Sequence, residues 1–149
     1  MANKRVVVVG FGPLPFYESD RLFMFGIRAW HFAWSLVNGG HKVLLMTLEF
    51  DAPERPKVRY RKGWKPPKGL EHVPLPRYEP EREAELVAKI GKLARKFKPD
   101  CIVATGTPIC AKLVAQTNLP LPRWFDIPGD VLMEVQAKAA VSGEKNISF

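Results

Sequence analysis

The chain alternates continuous apolar runs with segments that have apolar residues at helical spacing, and this alternation most constrains its fold. Arg5–Val9, His41–Leu48 and Cys101–Ala104 are apolar with little polar alternation. Such runs are typical of strands that are covered on both faces. Helical segments between them indicate βαβ units. The sequence therefore predicts an α/β, Rossmann-like fold, with a mostly parallel sheet and helices on both faces.

Turn and capping residues set the expected boundaries of the elements. Gly39-Gly40 favours a left-handed cap at the end of the first helix, and Pro80 favours the start of another. We expect strands over Arg5–Val9, His41–Leu48, His72–Leu75, Cys101–Ala104 and Leu121–Phe125, and helices over Asp20–Asn38, Pro80–Lys98, Ile109–Thr117 and Gly129–Ala140.

Length and composition indicate one cytoplasmic globular domain that spans the whole chain. With 149 residues, 46% of them hydrophobic and 26% charged, the chain is long enough for a core and is not disordered as a whole. Cys101 and Cys110 have apolar neighbours, so we expect free buried thiols rather than a disulfide scaffold. No spacing typical of a metal site occurs. The richest apolar stretch, Leu22–Val37, is interrupted by Arg28 and His31, which argues against a membrane span.

The net charge of +8 comes mainly from one segment. Residues 54–68 carry seven basic residues against one acidic residue, within a proline-rich basic loop predicted over 51–70. Tyr60 and Trp64 are interleaved with the cations, which suits anionic lipid headgroups, polyprenyl phosphate or nucleic acid. No nucleic-acid-binding motif accompanies the segment, so nucleic acid is disfavoured, and a solvated loop is the alternative. The predicted anionic partner surface, at the inner face of a membrane, is made of Arg59, Arg61, Lys62, Trp64 and Lys65.

Ligands of open parallel sheets bind outside the carboxyl ends of the strands. The loops expected at that edge are Gly10–Ser19, Leu48–Asp51, Thr105–Pro108 and Asp126–Asp130. We therefore expect the functional residues in these loops and at the start of the first helix.

The first of these loops has Gly10 and Gly12 on either side of Phe11, directly after the first strand. Glycines there allow backbone N–H groups to approach a phosphate. Glu49 follows the second strand, where a dinucleotide site has its ribose-binding acid, but Pro15 replaces the third glycine of that fingerprint. The alternative is that both glycines only end a strand.

Polar side chains on the first helix form a second candidate. Arg28 and His31 share a stripe with Arg21, Ser35 and Asn38, and lie in the half nearer the ligand edge. A guanidinium pairs with anions, and an imidazole can donate to them. The alternative is the solvated face of a helix that packs on the sheet.

The last two strands end in hydroxyl and carboxylate groups. Thr105, Gly106 and Thr107 offer hydroxyls and N–H groups to a phosphate or a sugar. Thr107 also suits an N-cap before Pro108, which we favour as its main role. Asp126 is a candidate polar contact or orienting group for substrate; the alternative is that Asp126 or Asp130 caps the last helix.

Three segments together carry a resemblance to a known family. Gly26–Val43 ends in Gly-His-Lys-Val, Pro99–Ala104 begins with Pro-Asp, and Leu121–Asp130 contains Phe125-Asp126. They resemble the Gly-His-x-Val turn, the Pro-Asp-x-hydrophobic strand and the His-Asp segment of GT-B-fold glycosyltransferases of the group 1 (family 4-like) type. Phe125 stands where that family often has His, so Asp126 alone is carried over. The resemblance spans nearly the whole chain.

The resemblance implies half of a GT-B fold, the acceptor-side N-terminal domain of an enzyme that transfers a sugar from a nucleotide-sugar donor to a carbohydrate or lipid-linked acceptor. It implies no metal or other cofactor, donor phosphates that face the N–H groups of Gly10–Gly12, and a catalytic role for Asp126. Most donor contacts in that family, including a Glu-x7-Glu motif, lie in a C-terminal domain. The sequence stops at Phe149 before such a domain, so we expect the isolated chain to be inactive.

Two other functions remain open on the sequence. Gly10, Gly12 and Glu49 are compatible with a self-contained nucleotide- or NAD-binding protein. Residues 54–68 are compatible with a basic module that binds anions or nucleic acid.

Overall fold

The computed structural model describes residues 3–18, 24–50 and 58–127. Its elements are β1 (Arg5–Phe11), α1 (Met24–Asn38), β2 (Lys42–Leu48), β3 (Leu70–Leu75), a 3-10 turn (Pro80–Arg82), α2 (Glu83–Phe97), β4 (Cys101–Thr105), α3 (Pro108–Gln116) and β5 (Arg123–Asp126). Every neighbouring pair of strands is parallel, in the order β3-β2-β1-β4-β5. The Rossmann-like α/β fold is therefore confirmed. The predicted helix Gly129–Ala140 and residues 20–23 of the predicted first helix lie outside the described residues.

The helix ends follow the capping residues of the sequence. Gly40, just after α1, has a φ of +83°, the left-handed conformation expected at a helix C-terminus. Thr107 caps α3, because its hydroxyl oxygen accepts the N–H of Cys110 at 3.4 Å and Pro108 follows as the first helical residue. The cap interpretation of Thr107 is confirmed. Strand β1 continues beyond its predicted end, as far as Phe11.

Alternate residues of the central strand β1 face two different layers of the core. Val6 and Val8 pack in the layer under α1, whereas Val7 and Val9 pack in the layer that contains α2 and α3. None of these four side chains is more than 3% exposed. The helices thus cover both faces of the sheet, as the sequence predicts.

Helix α1 approaches the sheet through small residues. Gly26, Ala29 and Ala33 are its buried positions, and they share one helical face. A Cβ atom on Gly10 of β1 would lie only 2.6 Å from the Cβ of Ala29. Gly10 therefore lets α1 pack directly on β1, which holds the first turns of α1 at the carboxyl edge of the sheet.

The burial predicted for both cysteines is confirmed for Cys110 and is wrong for Cys101. Both thiols are free; Cys110 is buried, and Cys101 is only partly buried. Burial raises the pKa of Cys110 to about 12. None of the helices within the described residues has the length and apolar character needed to cross a bilayer.

The strand order reverses at β1. From β1 the chain passes through α1 to β2 and then to β3 on one side, and α2 returns it to β4 on the other side of β1. In open α/β sheets a ligand crevice forms at such a reversal, outside the carboxyl ends of the strands. Here that position lies at the ends of β1 and β4, beside the first turns of α1.

Candidate functional site

A hydrogen-bonded ion pair lies at this edge of the sheet. Arg28 on α1 donates from Nε and Nη2 to the two carboxylate oxygens of Asp126 at the end of β5, with N···O distances of 2.5 and 2.6 Å. The two residues are 98 positions apart in the sequence. Two such bonds fix the plane of the guanidinium relative to the carboxylate. Two residues that the sequence singles out separately therefore form one unit.

Thr105, at the end of β4, completes the unit. Its hydroxyl donates to Oδ2 of Asp126 at 2.7 Å. The bonds from Arg28, and then from Thr105, hold the pKa of Asp126 below its ordinary value of 3.8 although the carboxylate is partly buried. Asp126 is therefore ionised at neutral pH. We name Arg28, Thr105 and Asp126 the Arg28 cluster.

Arg28 keeps donors for a ligand while it is paired with Asp126. The ion pair uses Nε and one N–H of Nη2, and a guanidinium carries further N–H groups on Nη1 and Nη2. The side chain of Arg28 is 41% exposed, whereas that of Asp126 is 15% exposed. An anion at this edge can thus bind Arg28 without breaking the ion pair. Because the guanidinium is oriented in advance, less ordering is needed on binding.

The neighbouring groups predicted to bind phosphate or sugar are partnered within the chain. Gly106, with a φ of +96°, donates its N–H to the carbonyl oxygen of Asp126 at 3.0 Å. The hydroxyl of Thr107 caps α3. These two residues hold β4, β5 and α3 together at the rim. His31 is exposed one turn along α1 from Arg28, and its proposed contact with an anion stays a prediction.

The segment Gly10-Phe11-Gly12 has packing roles that account for its residues. Gly10 serves the close approach of α1, and Phe11 is buried with its ring centroid 5.0 Å from that of Phe50. Gly12 donates its N–H to the carbonyl oxygen of Leu48 at 2.9 Å. The Gly12 N–H is therefore not available to the phosphate that the sequence predicts there, because it is already bonded to the neighbouring strand β2.

A second set of polar side chains, most of them buried or partly buried, lies at the end of β2 and on β3. Glu49 is 6% exposed, and its Oε1 accepts hydrogen bonds from Tyr17 at 2.8 Å and from Thr47 at 2.6 Å. A Cβ atom on Gly12 would overlap this carboxylate, so glycine is needed beside it. The Nε2 atom of His72 lies 2.8 Å from the hydroxyl oxygen of Thr47. We name Tyr17, Thr47, Glu49, Tyr60 and His72 the Glu49 cluster.

The pattern of hydrogen bonds determines which atom of each pair in the Glu49 cluster carries the proton. Tyr17 and Thr47 both donate to Glu49. The Thr47 oxygen therefore accepts from the Nε2–H of His72 at 2.8 Å, and Nδ1 of His72 accepts from Tyr60 at 2.8 Å. Burial lowers the pKa of His72 to about 4, in keeping with this neutral imidazole. Burial and then the Glu49 carboxylate raise the pKa of Tyr17 and of Tyr60, so both phenols keep their protons at neutral pH.

Residues 58–68, which we name the basic strap, lie against the loop that follows β1. Tyr17 and Tyr60 form an antiparallel bridge between the two segments. Two backbone hydrogen bonds, 2.8 and 2.9 Å long, flank the bridge. The strap is thus attached to the carboxyl edge of the sheet by backbone as well as by side-chain bonds.

The two aromatic residues of the strap differ in burial, because Trp64 is half-buried whereas Tyr60 is 36% exposed. Trp64 stacks on Phe16 with ring centroids 3.6 Å apart and planes within 6° of each other. Trp30 of α1 meets Phe16 edge-on at 4.8 Å. The predicted anionic partner surface therefore divides into a half-buried Trp64 and four exposed cations, namely Arg59, Arg61, Lys62 and Lys65.

Nothing in the sequence pattern predicts that Tyr17, Thr47 and His72 belong to one polar cluster. Each lies in a different segment, and no spacing between them is typical of a known motif. The available signal is the position of Thr47 and Glu49 at the end of an apolar strand, where side chains reach the ligand edge. The pairing of the strap with the loop after β1, which assembles the cluster, has no local signature.

Comparisons with known proteins do not identify a family. No protein-family model matches the chain, and a search of curated proteins finds no significant match. Within residues 3–18, 24–50 and 58–127, no group of three or more His, Cys, Asp or Glu side chains is placed to hold a metal ion. The function is therefore inferred from the geometry of the site.

Proposed function

We propose that this chain is the acceptor-side domain of a glycosyltransferase, and that its Arg28 cluster binds the phosphates and the sugar of a nucleotide-sugar donor. The observation that carries the proposal is the bidentate pairing of Arg28 with Asp126 where the strand order reverses. Ligands of open α/β sheets bind at this position. A fixed guanidinium beside an ionised carboxylate matches a donor in which a diphosphate adjoins sugar hydroxyls.

Arg28 acts on the leaving group in this proposal. During transfer, the bond between the anomeric carbon and a diphosphate oxygen breaks, and its electron pair stays on the diphosphate. The hydroxyl oxygen of the acceptor bonds to the same carbon and loses its proton. Negative charge therefore develops on the diphosphate, where oriented donors lower the barrier. The N–H groups of Arg28 that Asp126 does not use supply such donors.

Asp126 is suited to accept hydrogen bonds rather than to remove a proton. Its pKa lies below 3.8, which makes the carboxylate a weak base at neutral pH. We therefore assign it two roles: it positions Arg28, and it accepts a hydrogen bond from a hydroxyl of the sugar. The proton of the acceptor passes to another base or to water.

The dinucleotide alternative is less well supported. It requires the carboxylate of Glu49 to bind the hydroxyls of a ribose. That carboxylate is 6% exposed and accepts hydrogen bonds from Tyr17 and Thr47. A ribose at Glu49 would have to displace the loop that carries Tyr17.

Saturation-transfer NMR with UDP-glucose, GDP-mannose and ADP-glucose tests the proposed function. We expect saturable binding of at least one of them, with a Kd of about 1 mM, since a single wall of a cleft supplies few contacts. Arg28→Lys keeps the charge but loses the bidentate geometry, and Asp126→Asn releases the guanidinium. Each substitution should weaken binding about tenfold, the effect of losing one charged hydrogen bond.

Asp100→Asn is the matched control for Asp126→Asn. Asp100 lies at the opposite edge of the sheet, where it accepts the N–H of Arg5 at 2.8 Å. Its substitution should leave binding unchanged. The proposal fails if none of the three nucleotide sugars binds, or if binding is the same in the wild-type protein and in both Arg28 cluster variants.

A further inference from the structure

We propose that the basic strap docks the protein on an anionic membrane surface, with its arginine and lysine side chains among the phospholipid headgroups. This inference goes beyond the proposed function and does not depend on it. No residue of the strap takes part in the hydrogen bonds of the Arg28 cluster.

The strap concentrates positive charge without a compensating acid. Residues 58–68 contain five basic residues and no acidic residue. All five are exposed, and none forms a salt bridge within the described part of the chain. Each such cation near a membrane adds to its attraction for anionic lipids. The five residues are Arg59, Arg61, Lys62, Lys65 and Lys68.

The strap is fixed to the fold, so its cations are already arranged before a partner arrives. The Tyr60 hydroxyl bonds to Nδ1 of His72 at 2.8 Å, and Trp64 stacks on Phe16. These contacts anchor the strap at two of its residues, in addition to the backbone bridge. A surface that is ordered in advance loses less conformational entropy on binding than a mobile basic loop does.

Backbone alternation directs the cations outward. Tyr60 points into the Glu49 cluster, and side chains on either side of it in an extended segment point the opposite way. Arg59 therefore faces away from the protein, and both Arg59 and Arg61 are exposed. The guanidinium of Arg61 lies against the loop after β1, because its Nε donates to the carbonyl oxygen of Tyr17 at 3.3 Å. Lys62 precedes the turn at Gly63, whose φ is +83°, and Lys65 and Lys68 follow it.

An exposed tryptophan continues the aromatic group that supports the strap. Trp34 is 41% exposed and stacks on Trp30 with ring centroids 5.4 Å apart. Trp30 in turn meets Trp64 of the strap at 6.3 Å. Tryptophan is enriched at the interface between membrane and water. Lysine and arginine beside an interfacial aromatic residue are typical of peripheral membrane attachment.

The packing of the aromatic residues favours a membrane over nucleic acid as the partner. Single-stranded nucleic acid is held by stacking of its bases on aromatic faces between the cations. In the strap, Trp64 stacks on Phe16, and the Tyr60 hydroxyl is bonded to His72. Trp64 is half-buried, and Tyr60, which is 36% exposed, leaves only part of one ring for stacking between the cations. This arrangement suits a headgroup layer better than a run of stacked bases.

Co-sedimentation with lipid vesicles tests the inference. We expect the protein to bind vesicles made of equal parts phosphatidylcholine and phosphatidylglycerol, and not vesicles of phosphatidylcholine alone. Binding should fall as salt is raised, because screening shortens the range of the attraction. The triple variant Arg59→Gln, Lys62→Gln, Lys65→Gln should bind the mixed vesicles at least about tenfold more weakly.

The triple variant Lys89→Gln, Lys92→Gln, Lys96→Gln is the matched control. It removes the same charge from α2, on the opposite face of the sheet, and should keep vesicle binding. Thermal unfolding verifies that both variants fold. Three results would overturn the inference: no binding to mixed vesicles at low salt, equal weakening by the two triple variants, or tighter binding to a single-stranded RNA oligonucleotide than to the mixed vesicles.

Discussion

Asp126 holds Arg28 through a bidentate contact that is only partly shielded from water, so its contribution to stability is modest. Screening at the exposed guanidinium limits the pair to about 1 kcal/mol. We expect Asp126→Asn to lower the free energy of unfolding at pH 7 by about that amount. Urea denaturation of both proteins measures the difference.

The contribution of the Arg28–Asp126 pair to the free energy of unfolding depends on pH. The folded state lowers the pKa of Asp126 below 3.8, so the stabilisation is complete above that pH and is lost as the pH falls toward the folded pKa. The difference in stability between the wild-type protein and Asp126→Asn should therefore narrow below about pH 3.8. A difference that stays constant from pH 7 to pH 2.5 would show that the carboxylate does not titrate as an ion-paired group.

His72 makes stability depend on pH in a different pH range. Its pKa is about 4 in the folded protein and 6.5 in an exposed chain, so the unfolded state takes up a proton first. Stability is therefore complete above pH 6.5 and declines between about 6.5 and 4, by at most about 1.4 kcal/mol per pH unit. Urea denaturation from pH 7 to pH 5 should show this decline relative to His72→Gln. The other two histidines are present in both proteins, so their effects on stability cancel. If stability falls in parallel with pH in the wild-type protein and in His72→Gln, His72 is not a buried neutral imidazole.

Single residues at the ligand edge were partly predictable. The sequence singles out Arg28, Thr105 and Asp126 because each lies near the carboxyl end of a strand or the start of a helix. Their mutual contact was not predictable, because it depends on β5 lying beside β4 in the sheet. Gly12 was singled out for a phosphate contact, but its N–H donates to the carbonyl oxygen of Leu48, which depends on the pairing of β1 with β2.

At the level of elements, the close packing of α1 on the loop after β1 depends on a glycine in the helix. A Cβ atom on Gly26 would overlap the carbonyl oxygen of Pro13, which is backbone and cannot rotate away. Gly26→Ala should therefore shift the first turns of α1 and lower stability by about 1–3 kcal/mol, as overpacking does. Thermal and urea unfolding measure this loss.

Gly91 provides the matched helical control for Gly26. A Cβ atom there would first meet the end of the flexible Arg95 side chain, at 3.2 Å. Gly91→Ala should stabilise α2 by about 0.5–1 kcal/mol, since alanine loses less backbone entropy in a helix. Equal effects of the two substitutions would mean that Gly26 is not a point of close approach.

The elements themselves were largely predictable because their signals are local. The apolar runs of β1, β2 and β4 and the caps at Gly40 and Thr107 depend on neighbouring residues, and all are present in the structure. Residues 58–68 were interpreted as a surface for anions or as a solvated loop. Their attachment through Tyr60 and Trp64 depends on contacts with distant segments, which periodicity does not reveal.

At the scale of the whole molecule, strand order determines which groups meet. The order β3-β2-β1-β4-β5 gathers the Arg28 cluster on one side of β1 and the Glu49 cluster on the other. The first cluster keeps donors toward solvent, and the second is bonded internally and supports the basic strap. One edge of the sheet thus combines a candidate ligand site with a charged surface.

Chemical-shift mapping with the nucleotide sugar that binds is the most direct test of the central claim, which is that the ligand occupies the reversal point of the sheet. We expect the largest shifts of backbone amide signals at Arg28, Thr105 and Gly106, with those at the opposite edge near Asp100 unchanged. At the same ligand concentration, the shifts should be much smaller in Arg28→Lys. Shifts confined to the residues around Glu49, or spread evenly over the protein, would contradict the account.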